Sequence, residues 1–182
     1  MNKFHRAIVF VFLIIATGES ISAQQFAGKK PATDKVTSQL ENIDAIRAEY
    51  KKINSLKLTI QHFKYQDLPC VDEGVTNYFM EGSNVRKITE KFIKGDGYSA
   101  TEFYFKDGKF IFALEVIVGG PAMGPETKTE YRYYAKDDKA LRQLEGDKIV
   151  AADSKFTDAL TRGYQLIKAR TAKDFKKAIC IF

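Results

Sequence analysis

The segment that decides the fold is TEFYFKDGKFIFALEV, Thr101–Val116. An Asp-Gly pair between runs of alternating apolar residues is the strongest short-range signal for a β-hairpin. A two-residue Asp107-Gly108 turn sets Lys106 opposite Lys109, Phe105 opposite Phe110, Phe103 opposite Phe112 and Thr101 opposite Leu114. Strict alternation then gathers Phe103, Phe105, Phe110, Phe112 and Leu114 on one face. Glu102, Tyr104, Lys106, Lys109, Ile111, Ala113 and Glu115 fall on the other. A second segment, TEYRYYAKDDKALRQL at Thr129–Leu144, has the same plan. It adds Tyr131, Tyr133 and Ala135 to the apolar face, and Glu130, Arg132 and Tyr134 to the mixed one.

Working outward, YFMEGSNVRKI, YFKDGKFIFAL and YYAKDDKALRQL read as three strand–turn–strand units beginning near Tyr78, Tyr104 and Tyr133. Their spacing is uneven, and only the aromatic pair and the acidic turn recur. An antiparallel meander needs those features at every hairpin, so shared sheet geometry is favoured over a duplicated binding unit. Before them, SLKLTIQHFKY places Leu56, Leu58, Ile60 and His62 on one face and then shifts phase at Phe63 and Tyr65, which predicts a bulge near His62.

The period is helical at both ends. Val36, Leu40, Ile43, Ile46, Tyr50 and Ile53 form one stripe, with Asp34 placed to cap the helix. After Gly146, Asp153 or Ser154 opens a second helix whose inward stripe is Phe156, Leu160, Tyr164 and Ile167. The chain then ends in AICIF, either an edge strand or a core plug. The expected fold is α+β: an antiparallel meander of about six to eight strands flanked by an N-terminal and a C-terminal helix.

MNKFHR, AIVFVFLIIA and TGESISA have the basic, apolar and small-residue anatomy of a secretory signal peptide, with cleavage after Ala23. The apolar run is short for a membrane span, and no later segment approaches the length needed. The domain plan is therefore a signal peptide at 1–23, a flexible leader at 24–33 and one α+β domain at 34–182. Loss of Lys3, Arg6 and Glu19 lowers the net charge of +6 by one. Cys70 and Cys180 are the two cysteines, and in an oxidising compartment they make one disulfide.

Chemistry is sparse. His62 is the single histidine after the leader, too few for a multi-histidine metal site, and is read as a hydrogen-bonded core or rim residue. Nucleophile-elbow, Walker and dinucleotide fingerprints are missing, and neither a metal nor an organic cofactor is indicated. In the register above Glu102 and Glu115 are diagonal neighbours on the mixed face, at a spacing that suits acid–base glycoside chemistry. Arg132 falls near Glu115, so cross-strand ion pairing explains the same residues.

Two features remain as recognition surfaces. The loop GGPAMGPE offers Gly119-Gly120 as a backbone anion nest and Met123 as an adaptable contact. The C-terminal helix carries Lys155, Arg162, Lys168, Arg170, Lys173, Lys176 and Lys177 against Asp158 and Asp174. Helical spacing sets Lys155, Arg162, Lys173, Lys176 and Lys177 opposite the apolar stripe. The expected protein is exported (periplasmic or secreted) and non-catalytic, binding an acidic envelope component or an acidic partner protein through Lys173, Lys176, Lys177, Arg162, Gly119 and Gly120. Nucleic acid is not an expected partner of an exported chain without a dedicated motif. A small hydrolase using Glu102 and Glu115 is one alternative. A structural or assembly protein of the envelope, using a sheet edge or the AICIF end, is the other.

Overall fold

A computed structural model describes residues 32–120 and 124–180; the side chains of 32–36 lie outside that description, as do the leader and Met123. Turn chemistry lays out the sheet. Gly82-Ser83, Gly95-Asp96, Asp107-Gly108, Asp137-Asp138 and Gly146-Asp147 each close a two-residue hairpin. Both residues have positive φ at Asp107-Gly108 and at Asp137-Asp138, the conformation whose twist matches that of paired strands. The eight strands are β1 (Thr59–Asp67), β2 (Val71–Glu81), β3 (Asn84–Lys94), β4 (Gly97–Lys106), β5 (Lys109–Gly119), β6 (Thr127–Lys136), β7 (Lys139–Glu145) and β8 (Lys148–Val150). They form one antiparallel meander in chain order. Helix α1 (Ala32–Ser55) precedes the sheet; α2 (Ser154–Ala172) and α3 (Lys176–Ile179) follow it. The α+β meander flanked by helices is thus observed. Helix α1 starts earlier than the sequence suggests, so Asp34 lies within it and not ahead of it.

The three aromatic hairpins share an irregularity that simple alternation does not reveal. Phe79 pairs with Lys87 but Met80 with Val85, leaving Arg86 as an extra residue. Tyr104 pairs with Phe112 but Phe105 with Phe110, leaving Ile111 extra. Tyr134 pairs with Arg142 but Ala135 with Ala140, leaving Leu141 extra. A bulge inverts the alternation of everything beyond it on that strand. Phe103 therefore faces Ala113, Glu102 faces Leu114 and Thr101 faces Glu115. The expected single apolar face is corrected accordingly: Phe112 and Leu114 leave it, and Ala113 and Glu115 join it.

Each extra residue meets α1. Arg86 pairs with Glu49 at 2.5 Å, Ile111 packs into the α1 cluster, and Leu141 packs there while its carbonyl accepts a hydrogen bond from Gln39 Nε2. The repeated hairpin is thus a repeated seat for one helix. On that seat Ile43, Ile46 and Ile53 bury themselves against Tyr104, Phe112 and Tyr134, with Tyr50 between Tyr104 and Phe112 at ring-centroid distances of 4.8 and 5.6 Å. Each buried isoleucine contributes about 1.5–3 kcal/mol. Leu40, expected in the same stripe, is 48% exposed.

No bulge occurs at His62; pairing with β2 is regular from Thr59 to Tyr65. The phase change has a different cause, because both faces of the sheet are covered. Leu58 packs under α1, Phe63 and Tyr65 pack on the opposite side, and Ile60 and His62 lie exposed on the edge strand. His62 Nδ1 is 2.7 Å from Asn77 Oδ1, the contact of a surface residue and not of the core.

The second face carries α2 and α3. Asp153 caps α2, its carboxylate accepting from the Lys155 amide at 3.0 Å. The helix is rotated from the expected phase: Phe156, Ala159, Gly163, Leu166 and Ala169 are buried, while Leu160, Tyr164 and Ile167 flank the contact. Phe103, Phe105, Phe110 and Tyr133 fill the floor, so small residues take the centre of the helix face. A Cβ on Gly163 would stand 3.2–3.4 Å from the rings of Phe103, Phe110 and Phe105. Gly163→Val is expected to cost about 1–3 kcal/mol by overpacking, read as a lower urea midpoint; an unchanged midpoint would show that the aromatic floor yields.

The helix stops at Ala172 because Lys173 turns left-handed (φ 54°). Phe175 then stacks on Tyr65 (centroids 4.7 Å, planes 7° apart), and Ala178 and Ile179 are fully buried. The described part of AICIF is a core plug and not an edge strand. Cys180 joins Cys70, and the disulfide ties the β1–β2 connection to the chain's end.

Candidate functional site

The sequence-derived carboxylate pair is not brought together. Glu102 faces α1, where it accepts a hydrogen bond from the Tyr104 hydroxyl and pairs with Lys87 Nζ at 3.0 Å. Glu115 faces α2, on the other side of the sheet. The bulge at Ile111 puts them on opposite faces of the sheet, so they cannot act as an acid–base pair. Arg132 is not near Glu115 either; it pairs with Glu130 at 2.7 Å and Asp147 at 3.1 Å. Gly119 ends β5, and its carbonyl accepts from Thr127 Oγ1 at 2.6 Å; Gly120 lies beside the Pro125 carbonyl.

Six of the seven basic residues divide into two groups. Lys155, Lys168, Lys173, Lys176 and Lys177 are exposed, whereas Arg162 is turned inward with its side chain 11% exposed. Lys176 reaches Asp67 at 3.5 Å and Lys155 reaches Asp153 at 3.4 Å. Because α2 ends at Ala172, Lys173, Lys176 and Lys177 do not continue an outer helix face. They sit on the turn and the short α3 beyond it. Arg162 is corrected from surface ligand to internal partner, because the rotation that seats Ala159 and Gly163 on the aromatic floor brings it inward as well.

Arg162 meets there a polar row that strand alternation does not reveal. Thr76, Glu90, Thr101 and Glu115 stand side by side across β2, β3, β4 and β5. This polar row crosses a face otherwise made of Tyr78, Ile88, Phe103, Ala113 and Tyr133. Arg162 Nε lies 3.8 Å from Glu90 Oε2, and a terminal guanidinium nitrogen lies 3.6 Å from Glu115 Oε1. The Tyr65 hydroxyl donates to Glu90 at 3.0 Å; Tyr133 and Ser99 donate to Glu115 at 3.0 and 3.3 Å. The guanidinium also lies 5.0 Å from the Phe92 ring centroid. Burial pushes the Glu90 carboxyl above its ordinary range, Arg162 and the Tyr65 hydrogen bond pull it back, and Glu115 adds to the rise. Glu90 had one legible signal: Ile88 and Phe92 flank it at a spacing of two, which places a carboxylate on a core face.

Beside this cluster, between the first turns of α2 and strands β3–β5, lies a cleft of about 340 Å³. Its walls include Phe92, Tyr98, Ile117 and Ala159, and its polar lining includes Thr101 and Arg162. Thr101 is 3% exposed, and its hydroxyl has no hydrogen-bond partner among the described residues.

Fold and site together define a class: an eight-stranded antiparallel α+β meander, covered by helices on both faces and closed by one disulfide. Comparison with protein-family models, curated protein sequences and solved structures found no match. No helix of the described residues is long and apolar enough to cross a membrane.

Proposed function

We propose that this is an exported, non-catalytic binding protein whose partner is an anionic component of the cell envelope. The observation that carries the reading is the anchored basic turn at the end of α2. Lys168, Lys173 and Lys177 are exposed, and no ion pair engages them among the described residues. Solubility alone needs no ordered backbone beneath such lysines. Here Phe175, Ala178 and Ile179 are buried between and after them, and Cys180 is bonded to Cys70. A cation cluster held in one geometry loses less entropy on meeting a surface than a free tail does. Export is supported by the leader-like sequence of residues 1–23, which lie outside the described residues, and by the disulfide, whose chemistry belongs to oxidising compartments.

Co-sedimentation with isolated envelope fractions across a salt series tests this. Association at low salt should be released as the screening length falls from ~10 Å at 0.1 M towards ~3 Å at 1 M. Lys168→Glu/Lys173→Glu/Lys177→Glu should abolish association while leaving the thermal midpoint nearly unchanged. Equal binding by that variant at low salt would remove the proposal.

A further inference from the structure

We propose that the turn between β1 and β2 and the lysines around α3 form one docking surface for an anionic lipid bilayer. The proposal rests on the reading of the lysine turn given above and names its partner. Asp67, Leu68, Pro69 and Cys70 make a tight turn, closed by the Cys70 amide donating to the Asp67 carbonyl at 2.8 Å. Leu68 and Pro69 are its corner residues, and both are exposed, Leu68 to 63%. Both sides of that corner are fastened to α3. Asp67 pairs with Lys176 at 3.5 Å, and Cys70 is bonded to Cys180 with 5.7 Å between the Cα atoms. Tyr65, just before the turn, stacks on Phe175. An apolar corner is thereby held beside the exposed Lys173, Lys176 and Lys177.

Surface apolar residues scattered singly are ordinary. Leu68 differs because its turn is fixed among cations by a hydrogen bond, an ion pair and a covalent bond. Charge alone is a thin basis for adhesion here. Asp67 pairs with Lys176, and the Asp174 carboxylate accepts from the Lys176 amide at 3.2 Å, so two acidic groups lie among the lysines. Peripheral proteins hold a bilayer by two contributions, apolar side chains sunk to the boundary of headgroups and acyl chains, and cations on anionic headgroups. The corner supplies the first and the lysines the second. A hydrated polysaccharide would match the lysines but leave Leu68 and Pro69 in water. A bilayer engages both.

The chain has no tryptophan, so Leu68→Trp places a single reporter at the corner. The processed protein, residues 24–182, is used because the apolar leader would bind vesicles by itself. With vesicles of equal parts phosphatidylglycerol and phosphatidylcholine, the introduced indole should shift its emission to the blue. Lipids brominated in the acyl chains should quench it. Ile149→Trp, at a position 65% exposed on β8 and at the opposite edge of the sheet, should show neither change. Leu68→Ser should weaken co-sedimentation with the same vesicles roughly tenfold, the effect of losing one buried leucine. Phosphatidylcholine alone should hold the parent protein more weakly than the mixture does. Undiminished binding by Leu68→Ser, an unquenched indole at position 68, equal binding to both vesicle types, or no binding to the mixture would each overturn the proposal. If vesicles fail while envelope fractions still capture the protein, the lysines meet a polysaccharide or an acidic protein, and only the lipid inference falls. If neither binds, the reading beneath it falls as well.

Discussion

Replacing Arg162 with methionine should lower stability by about 3–5 kcal/mol at neutral pH, the usual cost of leaving a buried charge without its partner. Methionine keeps the length and apolar stem but removes the cation between Glu90, whose side chain is 0% exposed, and Glu115 at 13%. The loss should depend on pH in a definite direction. Glu90 is raised in the folded protein, so the folded state binds its proton more tightly than the unfolded chain does. Stability from this group is then fully present below the unfolded value of 4.5 and is lost as pH rises through the folded value. Removing Arg162 deletes the main influence that holds the folded value down, so the deficit should be greatest near pH 7.5 and shrink towards pH 5. Urea denaturation at those two pH values measures both. Adding Glu90→Gln to the methionine variant should recover much of the loss and flatten the pH dependence. A deficit under about 1 kcal/mol that is equal at both pH values would show that the carboxylates do not depend on Arg162.

Loss of the Cys70–Cys180 disulfide should cost about 2–5 kcal/mol, because the bond closes a loop of 110 residues that spans most of the sheet. Nearly the whole meander lies between the two cysteines, so reduction releases the unfolded chain from a large constraint. It also frees the end of α3. Phe175, Ala178 and Ile179 would then hold α3 by apolar contact alone, and proteolysis after Lys173 or Lys177 should speed up before global unfolding does. Cys70→Ser/Cys180→Ser compared with the parent protein in urea, with and without reductant, checks this. A parent midpoint that does not move on reduction would show that apolar packing of the C-terminal end suffices.

The hairpins were legible because their determinants are local. Gly82-Ser83, Asp107-Gly108 and Asp137-Asp138 declare tight turns, and the residues beside them, Phe105 with Phe110 and Lys106 with Lys109, pair as the turn dictates. Cys70 and Cys180 were legible as a pair because there was no other pairing to choose. Two residues past the turn the reading fails. The slip at Ile111 depends on Arg86, Ile111 and Leu141 being taken up by one helix more than thirty residues upstream of the first of them. Nothing in the alternation of Phe110–Leu114 records that contact, so alternation alone puts Glu115 on the face of Glu102, whereas the structure sets it on the face of Glu90.

The phase of α2 shows the same limit. An apolar stripe through Phe156, Leu160, Tyr164 and Ile167 is a sound reading of an isolated helix. Against a floor already filled by Phe103, Phe105, Phe110 and Tyr133, the contact is closest where the helix is smallest, at Ala159 and Gly163. That rotation converts Arg162 from a surface cation into the partner of two buried carboxylates. By itself, then, the sequence determined the turns, the order of strands and helices, the disulfide and the exposed lysines, since each follows from residues close in the chain or from the chemistry of a side chain alone. Only the tertiary structure decided the register beyond the bulges, the face of each carboxylate and the cleft under α2, because these depend on how α1 and α2 fit a sheet whose surface neither helix encodes.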